Sequence, residues 1–419
     1  MDLSSRLGLD SNRPGASTRV DGGADRAAEL SGDTRLLHAD AWLRFMGAQI
    51  ESFLTIDAPS GDEFERGRWF LARLREMGYD GAQQDAVGNV LAPFVDDYAG
   101  RWLVLDAHLD TAFPRGAARP VRKSGGLWYG PGVYDDGAGL AILLALMKLY
   151  RADPPAGAER LLFCFSAGEE GVGDLRGMRE LFRARTGRIA ALYTLDGLFG
   201  KESMGAVGSR RYRVEIGTPG GHSWADFGRP SAIHEITRWL ARAQGALSAA
   251  TEGMRYARPG QASSWNVGTL QGGTTVNSIA ARAQCEIDLR SSDPAALEIL
   301  VATVLNSVER FDWPAGAQPT VTRIGDRPTA EVAATAHLRD LRARLHARLG
   351  VTARETIDST NANWALHCGV PATSIGVAIG GDAHTEQEWL EFGSLMTGLR
   401  FVNDLVRMTL ADSRMVERY

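Results

Sequence analysis

Four stretches of this 419-residue chain place acids at or just beyond the end of an apolar run, and a fifth adds an imidazole in a glycine-rich loop. The end of an apolar strand is where an open α/β sheet builds its sites. In RWLVLDAHLDTAF, His108 and Asp110 are two residues apart, so both side chains leave the same face of an extended chain. A ligating imidazole commonly has its second ring nitrogen fixed by a carboxylate, and Asp110 is placed to orient His108. Such a pair on its own serves a structural role as readily. In YGPGVYDDGAGLAILLAL, Asp135 and Asp136 share a turn that opens an apolar helix. One acid there is a natural helix cap. The second, with no Lys or Arg beside it in sequence, is hard to explain without a cation.

In LLFCFSAGEEGVGDLRG, Glu169 and Glu170 follow an apolar strand and are flanked by Gly168 and Gly171. Adjacent residues point in different directions, so one can bind metal while the other faces an activated water. A solvated surface pair is the alternative. AALYTLDGLFG puts Asp196 at another strand end, and GGDAHTEQEWLEF supplies His384. Two imidazoles and several carboxylates offer enough ligands for two divalent metal ions with one bridging acid. Zinc, manganese or cobalt suits that donor set.

The elements around these residues follow from periodicity. Over residues 36–54, Leu37, Trp42, Phe45, Met46, Ile50 and Phe53 recur mostly at helical steps, and a second helix runs over 64–77. Strands apolar on both faces then alternate with helices, which predicts an α/β catalytic domain with a mostly parallel central sheet flanked by helices. After Gly205 the rhythm changes to strand, helix, strand, strand, helix, strand, the order of an inserted ferredoxin-like α+β domain. The expected division is a mobile leader at 1–35, catalytic segments at 36–205 and 327–419, and the inserted lid or dimerisation domain at 206–326.

In order and wording these stretches resemble the aminoacylase, acetylornithine deacetylase, carboxypeptidase G and peptidase T superfamily of dinuclear metallohydrolases. The likeness spans about residues 40–415 and rests on HLD, DDGAG, GEEG, TLDG, GTPGGHS, GGTTVNSIA, DLR, STNAN and GGDAHTEQEW. It implies that one metal takes His108, Asp135 and Asp196 and the other takes Asp135, Glu170 and His384, with Glu169 as general base. It further implies that His222 stabilises the oxyanion in the partner subunit's site, across a homodimer or higher homo-oligomer formed through the inserted domain. Asn277 and Arg290 match residues that hold the substrate, and a guanidinium suits a carboxylate because its planar fork binds two oxygens. One departure is Asn361, where the superfamily usually shows Asp.

The implied reaction is cleavage of a C–N bond in a small carboxylate-bearing substrate, a peptide or an N-acyl amino acid. The superfamily also has an aberrant member, 5-nitroanthranilic acid aminohydrolase. The alternative reaction is therefore displacement of an aryl amine, such as 5-nitroanthranilate to 5-nitrosalicylate plus ammonia. Trp224, Trp265 and Trp364 lie in or beside the motifs, and two of them facing the cleft would make a flat wall for an aromatic ring. A net charge of −5 without a Lys/Arg run argues against a nucleic-acid partner or an anionic membrane surface. The polar N-terminal stretch lacks a signal peptide's apolar core, and three scattered cysteines fit a reducing compartment, so a cytoplasmic location is expected. No phosphate-cradling Gly loop with Lys is present, which leaves phosphoryl transfer without its machinery.

Overall fold

The computed structural model describes residues 36, 38–255, 262–330, 336–349 and 351–412. Residues 1–35, where a leader is expected, lie outside them. The central sheet has eight strands, ordered Gln83–Gln84, Val90–Pro93, Leu161–Ser166, Trp102–His108, Ile189–Leu195, Ala372–Ile375, Lys201–Ala206 and Arg354–Asp358. The strand ending at His108 runs parallel to both of its neighbours, and Ile189–Leu195 runs parallel to Ala372–Ile375. Antiparallel pairing enters through Val90–Pro93 and where Ala372–Ile375 meets Lys201–Ala206.

The apolar runs are explained by burial on both faces. Leu103, Leu105, Leu161, Phe163 and Phe165 pack with the helices Ala39–Phe53, Gly137–Ala152 and Ser394–Ala411. Their alternating neighbours Trp102, Val104, Leu162 and Cys164 pack on the other side with Arg176–Ala184 and Ala362–His367. With both surfaces covered, the polar ends of the strands are the part left free to build a site.

The inserted segment makes its own four-stranded antiparallel sheet, ordered Ser263–Gly272, Arg282–Ser291, Gly208–Gly217 and Gln318–Arg327. Helices Ala232–Arg255 and Pro294–Glu309 cover one face around the fully buried Trp239. Period-two alternation turns Tyr212, Val214 and Ile216 to that core. Arg211 and Arg213 therefore lie on the opposite face, paired with Asp288 and Glu286. Their charged surface is not simply solvated, because its Arg211 end reaches a cleft at the ends of the central strands.

A further small sheet has no counterpart in the expected elements. Trp389–Glu391 pairs with Leu127–Tyr129 and with Gly380–Gly381, while Arg122–Ser124 flanks the group. It ties the chain around His384 to the turn that carries Asp135. Gly380 is required there, since a Cβ would come within 2.3 Å of the Tyr134 ring. Among the described residues no helix is long and apolar enough to cross a membrane.

Candidate metal centre

Three strand ends and two loops converge on one cleft of about 610 Å³, lined by Asp135, Glu169, Glu170, Asp196 and His384 among others. His108 is buried beneath it. Its Nδ1 lies 2.9 Å from the backbone oxygen of Asp110, which can only accept, so Nδ1 carries the proton. Nε2 lies 2.9 Å from Asp135 Oδ1, so here it too carries a proton and donates to that carboxylate, the place a cation would take between the two ligand atoms. The other oxygen of Asp135 faces His384 Nε2 at 3.0 Å, and His384 Nε2 also lies 2.7 Å from Glu170 Oε1. One carboxylate thus presents each of its oxygens to a different imidazole, the disposition a bridging ligand needs. Ligand atoms of His108, Asp135 and Glu170 fall within 4.8 Å of one another. This mixed nitrogen and oxygen donor set fits a divalent cation such as zinc, manganese or cobalt.

Electrostatics point the same way. Burial pushes the Glu169 carboxyl up to about 8, against a lowering by Arg327, and burial with the neighbouring Asp135 pushes Asp196 up to about 7. Hydrogen bonds to Asp135 and Glu170 raise His384 to about 11. Burial disfavours charge on Asp135 as well, yet His108 and His384 hold it well below the usual carboxylate range. Clustered buried acids that resist ionisation are the signature of a site designed around positive charge.

The two acids of the DDGAG turn separate cleanly. Asp136 accepts from Gly139 N at 3.1 Å and from His108 N at 2.9 Å, so it caps the helix and pins the strand end. Asp135 is left to face the cleft. Asp110 orients His108 with its backbone oxygen at 2.9 Å rather than with the expected carboxylate, whose Oδ1 stands 3.5 Å from Nδ1. Its carboxylate accepts from Glu169 N at 2.9 Å, Glu170 N at 2.8 Å and the Ser60 hydroxyl at 2.6 Å, joining the HLD and GEEG motifs.

Glu388 was not singled out in sequence. It is fully buried and accepts from Gly132 N, Tyr134 N and Asp135 N at 3.0, 2.9 and 2.9 Å, which fixes the turn behind Asp135. A lone Glu in EQEW carries no local sign of this; the only cue is an acid alternating into the small sheet. Arg211 and Arg327 were also missed, and both line the cleft beside the expected Arg290. Arg211 and Arg290 grip opposite oxygens of Asp288, at 3.3 and 2.6 Å.

His222, Asn277 and Trp224 stand apart from these. His222 is exposed, with its Nδ1 3.2 Å from Trp224 N and 3.3 Å from Ala225 N. Its short strand pairs with the Ser278 strand, which brings Asn277 alongside, and Ser223 N donates to Asn277 O at 3.0 Å. None of the three lines the cleft of their own chain. Nor do the expected tryptophans form an aromatic wall. Trp224 is 87% exposed, Trp265 packs on the inserted core, and Trp364 lies under the Arg179 guanidinium. Asn361 is buried away from the cleft surface, donating at 2.8 Å both to Asp106 Oδ2 and to Ser166 Oγ. An Asp there would face Asp106 as a second buried acid, so the amide answers to that neighbour.

The model of peptidase family M20/M25/M40 matches residues 104–408. The chain belongs to that family. Carboxypeptidase G2 of Pseudomonas sp. (strain RS-16) is 29% identical over 111 residues, covering 24% of this chain and 27% of that protein. The match thus spans only about a quarter of that curated relative. A di-peptidase from Saccharomyces cerevisiae superposes with a TM-score of 0.69 at 15% identity, over 90% of this chain and 98% of that one. A dinuclear-metal-binding peptidase from Bacillus subtilis gives 0.57 at 15% identity, over 88% and 99%. These likenesses confirm the fold, a catalytic α/β domain with an inserted domain. Membership of the M20 family makes the chain a hydrolytic enzyme of the metallopeptidase class.

Proposed function

We propose that this M20 hydrolase cleaves a C–N bond in a small carboxylate-bearing substrate, a peptide or an N-acyl amino acid, at two divalent metal ions. The observation that carries the reading is Asp135 facing His108 with one oxygen and His384 with the other, beside Glu169. One metal would be held by His108, Asp135 and Asp196, and the other by Asp135, Glu170 and His384. When bound, the cations would lower the pKa of water and polarise the scissile carbonyl. Glu169 takes the proton from the attacking water and passes it to the departing nitrogen. Burial raises the proton affinity of Glu169 above that of an ordinary carboxylate, and bound cations would draw it back so that the carboxylate can accept the proton.

Arg290, with Arg211, lines the same cleft as the acids and would receive the substrate carboxylate. For the alternative, an aryl amine, the aromatic ring in the lining of this chain's own cleft is Phe113. His222 and Asn277, exposed at the tip of the inserted domain, would complete the site of a second copy in a homodimer. The working location would be the cytoplasm. The test is a screen of dipeptides, N-acyl amino acids and aminobenzoates against protein stripped of metal and reloaded with zinc, manganese or cobalt. Activity on the first two classes that vanishes on chelation and returns with metal is expected. Turnover surviving complete metal removal would sink the reading.

A further inference from the structure

The loop that carries Glu169 and Glu170 is poorly able to hold its own shape. Gly168, Gly171, Asp174 and Leu175 all sit at positive φ, 70°, 41°, 56° and 58°. For Asp and Leu that region costs conformational energy which the surroundings must offset. The catalytic domain holds the loop from one side, through the Asp110 carboxylate and the N–H groups of Glu169 and Glu170. The other side is held by the inserted sheet. Arg327 donates to the backbone oxygen of Glu169, and its Nη1 lies 3.6 Å from Glu169 Oε1. Arg211 donates to the backbone oxygen of Gly171. The Asp326 backbone is held on both sides of its Cα, its N–H donating to Asp174 Oδ1 at 2.8 Å and its oxygen accepting from Arg179. Asp174 and Arg179 are themselves an ion pair at 2.6 Å.

The inserted strand is shaped for this contact. A bulge between Arg323 and Gly325 places Gly325 opposite Arg211. A Cβ there would sit 3.1 Å from the Arg211 side chain, so glycine leaves the guanidinium its path to the loop. Arg327 is only 5% exposed and Arg211 16%, and neither is a solvated surface charge.

We propose that Arg211, Asp326 and Arg327 are positioning residues, a latch by which the inserted domain fixes the Glu169–Glu170 loop, so that the base is in place only while that domain is seated. The inference rests on the assignment of Glu169 as base. It adds that this base is assembled from two domains, one gripping the loop's N–H groups and the other its carbonyls. Separation of the inserted sheet from the catalytic domain would release Glu169 even with every metal ligand intact.

The test removes the latch at Asp174, which does not line the cleft. Asp174→Gly tolerates the left-handed backbone and deletes the acceptor, whereas Asp174→Asn keeps an oxygen for Asp326 N. Hydrogen exchange of full-length protein should quicken at residues 168–176 in Asp174→Gly and in Arg327→Gln, with the strand Leu161–Ser166 unchanged and Asp174→Asn near wild type. With the best substrate from the screen, kcat should fall roughly 10–100-fold in Asp174→Gly, the scale for losing a supporting partner, while KM and metal content hold. The same substitution in a Glu169→Gln background should cost nothing further. Unchanged exchange over 168–176, or an equal loss of kcat without Glu169, would overturn the latch. An inactive Glu169→Gln beside a fully active Asp174→Gly would overturn the latch while leaving the base assignment standing. A fully active Glu169→Gln would instead remove the base assignment, and the exchange data would still decide whether the inserted sheet holds the loop.

Discussion

At the cleft, His108 is 1% exposed, Glu169 6% and Glu170 7%, and each is held by at least one hydrogen bond from another motif. At the far tip of the inserted domain, His222 is exposed beside Trp224, Phe227 and Val276, whose exposures are 87%, 90% and 103%. Both regions carry family-like motifs of similar clarity in the sequence. Only the first brings its residues to a cleft of its own chain. The second is an exposed His222 with large apolar side chains exposed nearby in the same hairpins. Apolar groups so fully exposed and so close together are how interaction surfaces announce themselves. On the proposed reading, the candidate metal site is held by its own chain while His222 would act only after assembly.

The largest effect expected from breaking the rigid half is at Glu169. Glu169→Ala should retain both metals, measured by elemental analysis, and lose about 10²–10⁴-fold in turnover, the range for a general base. Full activity would remove the mechanism. Next comes the assembled half. His222→Ala should cost about 10²–10³-fold, the scale of one lost oxyanion donor. Mixing it with Glu169→Ala sharpens the comparison, because each heterodimer then holds one site with both residues intact. Random pairing of an isologous dimer predicts recovery to about a quarter of wild-type activity. If His222 acted in its own chain, mixing would recover nothing.

Glu388 tests the rigid half from behind. Glu388→Ala leaves three buried N–H groups of the Asp135 turn unpaired. Metal affinity should fall about 10–100-fold, as for other supporting partners of ligands, with kcat at saturating metal little changed. Titration with zinc or manganese reads this directly. An unaltered affinity would mean that the turn holds itself.

How far these two regions could be read from sequence follows from what each residue's surroundings look like in one dimension. The convergence of His108, Asp135, Glu170 and Asp196 was legible because several acid-bearing stretches were read together with the family resemblance, each alone having an ordinary structural explanation. The inserted domain's strand and helix order was legible because period-two alternation in RRYRVEIG and ARAQCEIDLRS is clean. That same alternation hid Arg211, since a charged face reads alike whether it meets solvent or a cleft. Arg327 and Glu388 were hidden for a related reason. Each acts on backbone atoms more than 150 residues away in sequence, and no local pattern records which carbonyl or N–H a side chain will reach. The role of Asn361 also depended on a distant neighbour, Asp106, which lies on another element. Trp224, Trp265 and Trp364 do not line the cleft of their own chain, and nearness to a motif in sequence says nothing about which side of a strand or loop a ring takes.

The smallest effect expected lies at the edge of the assembled half. Trp224 stands two residues from His222 and buries little within its own chain. If the tip docks on a second copy, its ring is among the apolar groups that docking would cover. Large aromatics dominate such contacts, yet a rim position contributes far less than a central anchor. Trp224→Ser should therefore weaken the dimer by about tenfold in dissociation constant, an interaction loss of roughly 1.4 kcal/mol. Sedimentation velocity across a dilution series would show it, with metal content and the cleft untouched. At protein concentrations above the shifted constant, kcat should match wild type; below it, activity should fall in step with the dimer fraction. A variant whose activity falls while its dimer persists would place Trp224 at the substrate instead, and a variant that changes neither would leave the exposed tip without a role in assembly.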